Sequence, residues 1–374
     1  MTKQKTPKKP EQLIEGILNE YDQQCALFEE FTSVTERLIL DLLKSNNLRI
    51  HSVTSRVKTK QSISDKIKKS SEYTYQRLSD VHDVCGIRII TYYPDEVDSV
   101  AEVIQKEFRI DYSASVDKRT LLDPDRFGYL SLHYIAELSP QRLLLTEYSR
   151  FKKCINEIQI RSILQHTWAE IEHDLGYKTK LAVPRHIRRR FSQLAGLLEL
   201  ADDTFVQIRN TLSDYESNMS DIIKKTPELV QIDQVSLLTF AEQSKILIQI
   251  DEEIASRVGT TLTETSSSEF LTAQIPILDS VNIKSIADLS NRLTTNKNGI
   301  LKIAPPFLKT KAPKKDIDQY ALIRGLGIRY LGFLLLLERS PDSTALANQL
   351  INLGYQPSKA RKDSTTLLAA YKSK

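Results

Sequence analysis

The chain has 374 residues, long enough for two or three domains, and its 52 lysines and arginines against 48 aspartates and glutamates leave a net charge of only +4. Because the charges nearly cancel, the net charge gives no indication of nucleic-acid binding, and local clusters of charge are more informative. Three scattered cysteines argue against a disulfide framework, and the longest apolar run, residues 331–337, is too short to span a bilayer. Residues 1–10 are basic without an apolar core, so we expect neither a signal peptide nor a membrane anchor, and a cytoplasmic location.

The first predicted elements are one or two amphipathic helices between Glu11 and Lys44, where apolar residues recur at helical spacing. A basic segment follows, in which Arg56 and Lys58 alternate as on a strand. Lys66 and Lys69 then lie three residues apart, as on one face of a helix. Any one of these cations alone is expected on a solvated surface, but the ordered set predicts a site for phosphate groups. The sequence contains no GxxxxGK[ST] loop, which excludes a P-loop NTPase.

Two further predicted strands each combine a carboxylate with an arginine. Asp83 comes just before an apolar run that contains Arg88. Glu157, Gln159 and Arg161 alternate along another strand and therefore share one face. An edge strand with a wet face is the alternative for the second strand taken alone. Together the two strands suit a divalent cation held against phosphates, because Mg²⁺ usually sits between one or two carboxylates and substrate phosphates.

A strand between these two carries an aromatic residue at its start. Tyr129, Ser131 and His133 alternate on one face, and Gly128 permits a tight turn before them. A tyrosine ring in this position suits a nucleobase, since stacking contributes about 1–3 kcal/mol per base whatever the base is. A purely structural tyrosine is the alternative.

After a predicted helix over residues 163–175 comes the densest positive cluster of the chain. Arg188, Arg189 and Arg190 belong to this cluster and precede a long helical pattern. It is either a solvated helix start or a docking patch for a polyanion such as RNA.

The remaining sequence predicts a connector followed by a second module. We place a catalytic domain at residues 1–215, a helical connector and linker at 216–269 and a regulatory module at 270–374. Thr260–Glu269 is the clearest linker by composition. The module is expected to be a small α/β or mostly helical domain, and Tyr355 is a candidate regulatory contact or an ordinary surface residue.

Five motifs in this order resemble the RelA/SpoT synthetase domain over roughly residues 35–210. They run from Arg56 to Lys66, Asp83 to Arg88, Gly128 to His133, Glu157 to Arg161 and His166 to Lys178. The resemblance implies an α+β fold, with a nucleotidyltransferase-like mixed β-sheet flanked by helices. It also implies transfer of pyrophosphate from ATP to a ribose 3′-hydroxyl.

The resemblance also implies roles for individual residues. Asp83 and Glu157 match the catalytic, metal-binding acids that hold Mg²⁺, and Glu157 is also suited to take the proton of the attacking hydroxyl. Tyr129 matches the ring that stacks on the acceptor base. His133, Gln159 and Arg161 match positions that support the acceptor. The ATP-binding positions are matched by Arg56, Lys58, Lys66, Lys69 and Arg88.

The chain departs from the family pattern at two places. Only about 50 residues precede the synthetase motifs, so the hydrolase domain of the long family members is not expected. Asp125, Arg126 and Phe127 stand where nucleotide-specific synthetases commonly have Lys and Asn or Ser, beside the phosphates of the acceptor. Phe127 cannot donate to a phosphate. An acceptor without a 5′-phosphate cluster, such as the 3′-terminal adenosine of tRNA, is therefore favoured.

The architecture is similar to the fused toxin–antitoxin branch of the family, the CapRel type. This likeness implies pyrophosphorylation of the tRNA CCA end, arrest of translation in anti-phage defence, and inhibition by a C-terminal domain that senses a phage protein. The alternative is a small alarmone synthetase that makes (p)ppGpp from GDP or GTP and carries a regulatory C-terminal domain. A degenerate synthetase used only to bind RNA is disfavoured, because both acids and the cations are present.

Overall fold

A computed structural model of the protein describes residues 11–70, 75–119, 131–178, 184–311, 321–339 and 342–373. The chain divides into two compact units, residues 1–210 and 211–374. No helix in these described ranges is long and apolar enough to cross a membrane.

The first unit is a mixed α+β structure, as the sequence predicts. Its first helix, α1 (Glu11–Ser45), is one continuous helix of 35 residues. The other helices are α2 (Lys60–Lys69), α3 (Glu96–Glu107), α4 (Pro140–Leu143), α5 (Ile163–Lys178) and α6 (Arg185–Lys225), the last of which extends past residue 210. The strands are β1 (Ser52–Val57), β2 (Cys85–Thr91), β3 (Phe108–Asp117), β4 (Leu132–Leu138) and β5 (Asn156–Ser162).

These five strands form one sheet in the order β1-β2-β5-β4-β3. Strands β2 and β5 are parallel, whereas β1 with β2, β5 with β4, and β4 with β3 are antiparallel. The parallel pair lies near the middle of the sheet, so the two strands that carry the predicted acids are neighbours.

The two faces of the sheet differ in chemistry, because residues of each strand alternate between them. Helices α1 and α3 pack on the apolar face. Four isoleucines of β2 and β5 are completely buried there: Ile87, Ile89, Ile158 and Ile160. The polar side chains of the same strands therefore lie on the opposite face, as the alternation predicts.

The second unit is mainly helical, with one two-stranded parallel sheet formed by β6 (Thr261–Ser266) and β7 (Ala321–Arg324). Its core brings together apolar residues from position 219 to position 370. The helices are α7 (Gln234–Gln243), α8 (Lys245–Val258), α9 (Ser268–Thr272), α10 (Ile275–Ser280), α11 (Ile286–Lys311), α12 (Leu326–Arg339), α13 (Ser343–Asn352) and α14 (Pro357–Lys372).

The predicted linker is wrong. Thr260–Glu269 contains strand β6 and the start of α9, and Leu247 and Ile250, within the predicted connector, are completely buried in the core of the second unit. Residues 211–269 thus belong to this unit. The composition misleads because a strand of a two-stranded sheet, half-buried at most, accommodates Thr, Ser and Glu as readily as a loop does.

A buried carboxylate organises the start of α12. Asp251 on α8 accepts hydrogen bonds from the backbone N–H groups of Gly325 (2.6 Å) and Gly327 (2.7 Å). These donors lie at the start of α12 and have no partner within the helix, so the carboxylate caps it. Gly325 has a φ of +93°, a conformation that glycine adopts without strain.

Candidate active site

The sheet topology brings the ends of three elements to one edge. Because β1 is antiparallel to β2, Val57 at the end of β1 pairs with Cys85 at the start of β2. The backbone N–H of Lys58 then donates to the carbonyl of Val84 at 2.8 Å. Because β5 is parallel to β2, Glu157 pairs with Gly86. Asp83 and Glu157, 74 positions apart in sequence, therefore reach the same edge of the sheet.

Asp83 is held between two of the predicted phosphate-binding lysines. Its Oδ2 pairs with Nζ of Lys58, and with Nζ of Lys66 at 2.8 Å. Helix α2 begins directly after β1 with Thr59 as its N-cap, which places Lys66 over Asp83. Burial by itself raises the pKa of Asp83, but the hydrogen bonds and charges of the two lysines outweigh it and lower the pKa. The group is a carboxylate at neutral pH.

Glu157 is fixed by two neighbours on the polar face. Its Oε1 lies 2.9 Å from Nδ1 of His133 on β4, and its Oε2 accepts a hydrogen bond from Nε2 of Gln159 at 2.9 Å. The hydrogen-bond network extends from His133 to a third residue, since Nε2 of His133 lies 2.7 Å from Oγ of Ser131. Burial raises the pKa of Glu157, yet the hydrogen bonds from His133 and Gln159 outweigh it and lower the pKa. Since an ionised carboxylate only accepts, Nδ1 of His133 carries the proton.

The two acids fit a divalent cation that shares its coordination with phosphates. Oδ1 of Asp83 is buried and has no hydrogen-bond partner within the described residues. Gly86, three residues after Asp83, pairs with Glu157, so the two carboxylates lie at the same end of neighbouring strands. Within those residues no group of three or more metal-ligating side chains occurs. A hard cation held here would need oxygen ligands from a nucleotide and water, which is typical of Mg²⁺.

Of the remaining predicted cations, Arg56 lies beside this pair of acids and Lys69 lies on α2. Arg56 pairs with Gly86 across the strands, and a side chain at Gly86 would begin 3.7 Å from Cγ of Arg56. The side chain of Arg56 therefore lies over the residue of β2 that pairs with Glu157 on the neighbouring strand. Lys69 is exposed at the end of α2, three residues after Lys66. The structure thus brings Arg56, Lys58 and Lys66 to the edge that holds the two acids, with Lys69 on the same helix.

Sequence reasoning missed one acid of this face, Glu170 on α5. Its Oε1 lies 3.0 Å from Nη1 of Arg88 and 3.4 Å from Nη2 of Arg161, which is only 3% exposed. His166 is 3.9 Å from the same oxygen, one helical turn earlier. Glu170 therefore draws together an arginine predicted for ATP and an arginine predicted for the acceptor. Helical spacing relates Glu170 to His166, but nothing in the sequence indicates that this helix face lies over β2 and β5.

Three further predictions concern the acceptor and regulation. Tyr129 lies outside the described residues, as do Asp125, Arg126 and Phe127. Arg188, Arg189 and Arg190 are exposed in the first turns of α6. Tyr355 packs within its own unit, edge-on to Phe333 with ring centroids 6.2 Å apart.

The adjacent acids Asp202 and Asp203 on α6 lie in different environments. Asp202 is only 4% exposed and accepts a hydrogen bond from Oγ of Ser162 at 2.6 Å, whereas Asp203 is exposed. Burial raises the pKa of Asp202 to about 6, although the hydrogen bond from Ser162 lowers it. Asp202 thus attaches α6 to the end of β5, away from the two acids.

Comparison with known proteins relates the part of the chain that holds this site to a known family. Residues 55–182 match the family described as a region found in RelA / SpoT proteins. The match begins on β1 and ends just after α5, so it contains Asp83, Glu157 and the lysines that surround them.

Two relatives from Bacillus subtilis (strain 168) are similar over about half of the chain. GTP pyrophosphokinase YwaC is 28% identical over 186 residues, 49% of this chain and 84% of the relative. GTP pyrophosphokinase YjbM is 28% identical over 174 residues, 46% of this chain and 77% of the relative. Of solved structures, small alarmone synthetase 1 from Bacillus subtilis aligns with a TM-score of 0.44 at 22% identity, covering 52% of this chain and 99% of that one. Residues 55–182 thus form a RelA/SpoT region, and the protein is a diphosphokinase of the RelA/SpoT type.

Proposed function

We propose that this enzyme transfers pyrophosphate from ATP to the ribose 3′-hydroxyl of GDP or GTP. The observation that carries the proposal is the edge of the sheet that holds both Asp83 and Glu157, where Lys58 and Lys66 pair with Asp83. Both curated relatives are GTP pyrophosphokinases, which favours a guanosine nucleotide as acceptor.

In this reaction the 3′-oxygen forms a bond to the β-phosphorus of ATP. The bond from that phosphorus to the oxygen bridging it to the α-phosphorus breaks, AMP leaves, and the proton of the hydroxyl is released. Catalysis of such transfers is almost entirely positioning and electrostatic stabilisation. The lysines that now pair with Asp83 supply positive charge for the phosphates, and Arg56 and Arg88 lie on the same face.

Asp83 and Glu157 would hold Mg²⁺, which when bound neutralises charge on the transferred phosphates. Because the pKa of Glu157 is lowered, its carboxylate is a weak base at neutral pH. Its main task is then to orient the hydroxyl, whose proton becomes acidic enough to pass to Glu157 only as the new bond forms. His133 and Gln159 keep this carboxylate in place through its two oxygens.

A second acceptor, the 3′-terminal adenosine of tRNA, is favoured by two sequence observations. Phe127 occupies a sequence position where nucleotide-specific synthetases commonly have Asn or Ser, and its side chain cannot donate a hydrogen bond to a phosphate. The exposed Arg188, Arg189 and Arg190 suit a long polyanion. If tRNA is the acceptor, neutralising the three arginines should flatten the salt dependence of tRNA binding, since each phosphate contact releases counterions.

The test is incubation with ATP labelled on its β- and γ-phosphates, with GDP, GTP or deacylated tRNA offered separately. Label in the guanosine nucleotides alone supports the first proposal, and label in tRNA alone replaces it with the second. Glu157→Gln serves as the inactive control. Tyr129→Ala should weaken use of the labelled acceptor far more than binding of a non-hydrolysable ATP analogue, and equal losses would make Tyr129 a structural residue.

We further propose that the second unit restrains the synthetase, as in a fused toxin–antitoxin released by a phage protein. Because residues 211–269 share one core with residues 270–374, a deletion from residue 270 would break that core. The informative truncation therefore ends at Asn210. It should be toxic on expression, and Glu157→Gln should remove the toxicity. A folded, active and harmless truncation would refute restraint in cis.

A further inference from the structure

Glu170 on α5 brings three side chains of the first unit to one carboxylate oxygen. Its Oε1 lies 3.0 Å from Nη1 of Arg88, 3.4 Å from Nη2 of Arg161 and 3.9 Å from Nδ1 of His166. The two arginines belong to the neighbouring strands β2 and β5, and helix α5 packs against both strands. A single acid therefore connects an arginine predicted to bind ATP with an arginine predicted to support the acceptor.

The two arginines need a negative charge at this place. Arg88 pairs with Gln159 in the sheet, and Arg161 follows two residues later on the same face of β5, so both guanidinium groups reach the same oxygen. The side chain of Arg161 is 3% exposed, and a guanidinium does not lose its proton in proteins. Like charges on neighbouring strands repel, and a buried charge requires pairing. The carboxylate of Glu170 offsets this repulsion.

His166 does not add a third positive charge. Burial and the charge of Arg161 lower the pKa of His166, and the opposing charge of Glu170 does not compensate. The imidazole is therefore neutral at neutral pH, and the two arginines share the negative charge of Glu170.

Arg88 is anchored at one end of its guanidinium. Within the described residues its ion-pair partner is Glu170, and its Nε is buried without a hydrogen-bond partner. Because the guanidinium carries its five N–H donors in a rigid planar fork, a fixed Nη1 also fixes the direction of the other donors. A buried donor without a partner is an exception in folded proteins and is typical of a place that a ligand or water completes.

We infer that Glu170 is a positioning residue of the transfer reaction, which holds Arg88 for the donor nucleotide and Arg161 for the acceptor. This inference rests on the proposed function for its substrates. Glu170 acts on them through the two arginines. Positive charge that is fixed beforehand needs no rearrangement as charge develops on the transferred phosphates, so Arg88 stabilises them better when Glu170 holds it.

The test is a double-mutant cycle between Glu170 and Arg88, with the full-length chain and a non-hydrolysable ATP analogue with Mg²⁺. Glu170→Gln keeps the shape of the side chain and removes its charge, and we expect it to weaken binding about tenfold. In a chain that carries Arg88→Gln, the same substitution should change binding less than about twofold, because the residue through which Glu170 acts is gone. The measurement uses about 0.15 M salt, which screens the general attraction of the phosphates to a more positive site.

Two further variants control for charge and fold. Glu170→Asp keeps the charge on a shorter side chain and should recover part of the loss. Glu102→Gln makes the same chemical change at an exposed position on α3, which packs on the opposite face of the sheet, and should leave binding unchanged. Circular dichroism and thermal unfolding confirm that each variant folds, as expected because the side chain of Glu170 is 47% exposed.

Transfer assays test the contact with Arg161. With the acceptor that the wild type labels, Glu170→Gln should lower kcat about tenfold and raise the KM for the acceptor severalfold, because Arg161 is released together with Arg88. An unchanged KM for the acceptor would overturn the part of the inference that concerns Arg161.

The binding cycle has clear adverse results. Unchanged binding for Glu170→Gln would reduce the ion pairs to surface contacts without a role. Equal losses with and without Arg88 would show that Glu170 does not act through that arginine. Tighter binding would show that Glu170 competes with the nucleotide for Arg88 instead of positioning it.

Failure of the proposed function gives a different result. Label in none of the offered acceptors would refute that function, whereas the analogue binds without an acceptor and the cycle still reports on Glu170. A wild type that does not bind the analogue would overturn both the ATP donor and the role of Glu170.

Discussion

The contact between His133 and Glu157 makes a prediction about catalysis that separates positioning from substrate binding. His133→Ala removes the donor to Oε1 of Glu157, while the hydrogen bond from Gln159 to Oε2 stays. The carboxylate then keeps one of its two side-chain partners and can rotate away from the reacting hydroxyl. The substitution also removes the contact between His133 and Ser131, but the Ser131 hydroxyl is one hydrogen bond further from the reacting groups.

The magnitude follows from the type of bond. A hydrogen bond to a charged group contributes about 1.5–3 kcal/mol. If all of it acts in the transition state, the rate falls roughly 10- to 150-fold, since each 1.36 kcal/mol is a factor of ten. His133→Gln offers an amide donor near the same place and should recover part of the loss.

The assay is steady-state transfer of labelled pyrophosphate, with kcat and the KM for ATP measured separately. We expect kcat to fall and the KM for ATP to stay within about twofold, because the lysines beside Asp83 are untouched. His51→Ala is the control, since His51 is an exposed histidine whose ring contacts Tyr92 and not the acids. Full activity of His133→Ala, or a loss confined to KM, would show that His133 does not position Glu157.

Three other substitutions test the site and the two cores. Asp83→Asn removes the charge that pairs with two lysines, so transfer should fall on the order of 100-fold or more with an unchanged circular dichroism spectrum, and a smaller loss would refute the metal-binding role. Asp202 has a folded pKa of about 6, above its unfolded value, so its stabilising neutral form is lost as the pH rises through 6. Asp202→Asn mimics that form and should therefore match the wild type near pH 4 and exceed its unfolding free energy by roughly 2–3 kcal/mol at pH 8, as followed by urea denaturation. Asp251→Ala leaves two buried N–H groups without an acceptor and should destabilise the second unit by about 2–5 kcal/mol, whereas the exposed Glu252→Ala should have little effect.

Much of the first unit follows from local patterns in the sequence. The alternation of Glu157, Gln159 and Arg161 with buried isoleucines predicts both faces of β5, and the spacing of apolar residues predicts α1 and α5. These predictions succeed because a strand or helix face depends on residues only two to four positions apart. The roles of the acids and lysines came from a resemblance in motif order, which the family match over residues 55–182 supports.

The second unit shows where local patterns fail. Thr260–Glu269 has the composition of a linker, but β6 pairs with β7, about 60 residues further along the chain. Strand pairing at this separation depends on the core that brings the two segments together, and no window of the sequence contains both. The boundary between the units consequently lies at residue 210 and not at the polar segment.

The sequence by itself predicted the candidate site residues, and it determined which face of each strand or helix they occupy. Only the tertiary structure decided which of them meet. It placed Asp83 beside Lys58 and Lys66, gave Glu157 its hydrogen bonds from His133 and Gln159, and set Glu170 between Arg88 and Arg161. The physical reason is that periodicity records the environment of a side chain, apolar or polar, whereas ion pairs and pKa shifts depend on distances between atoms that the chain brings together only by folding.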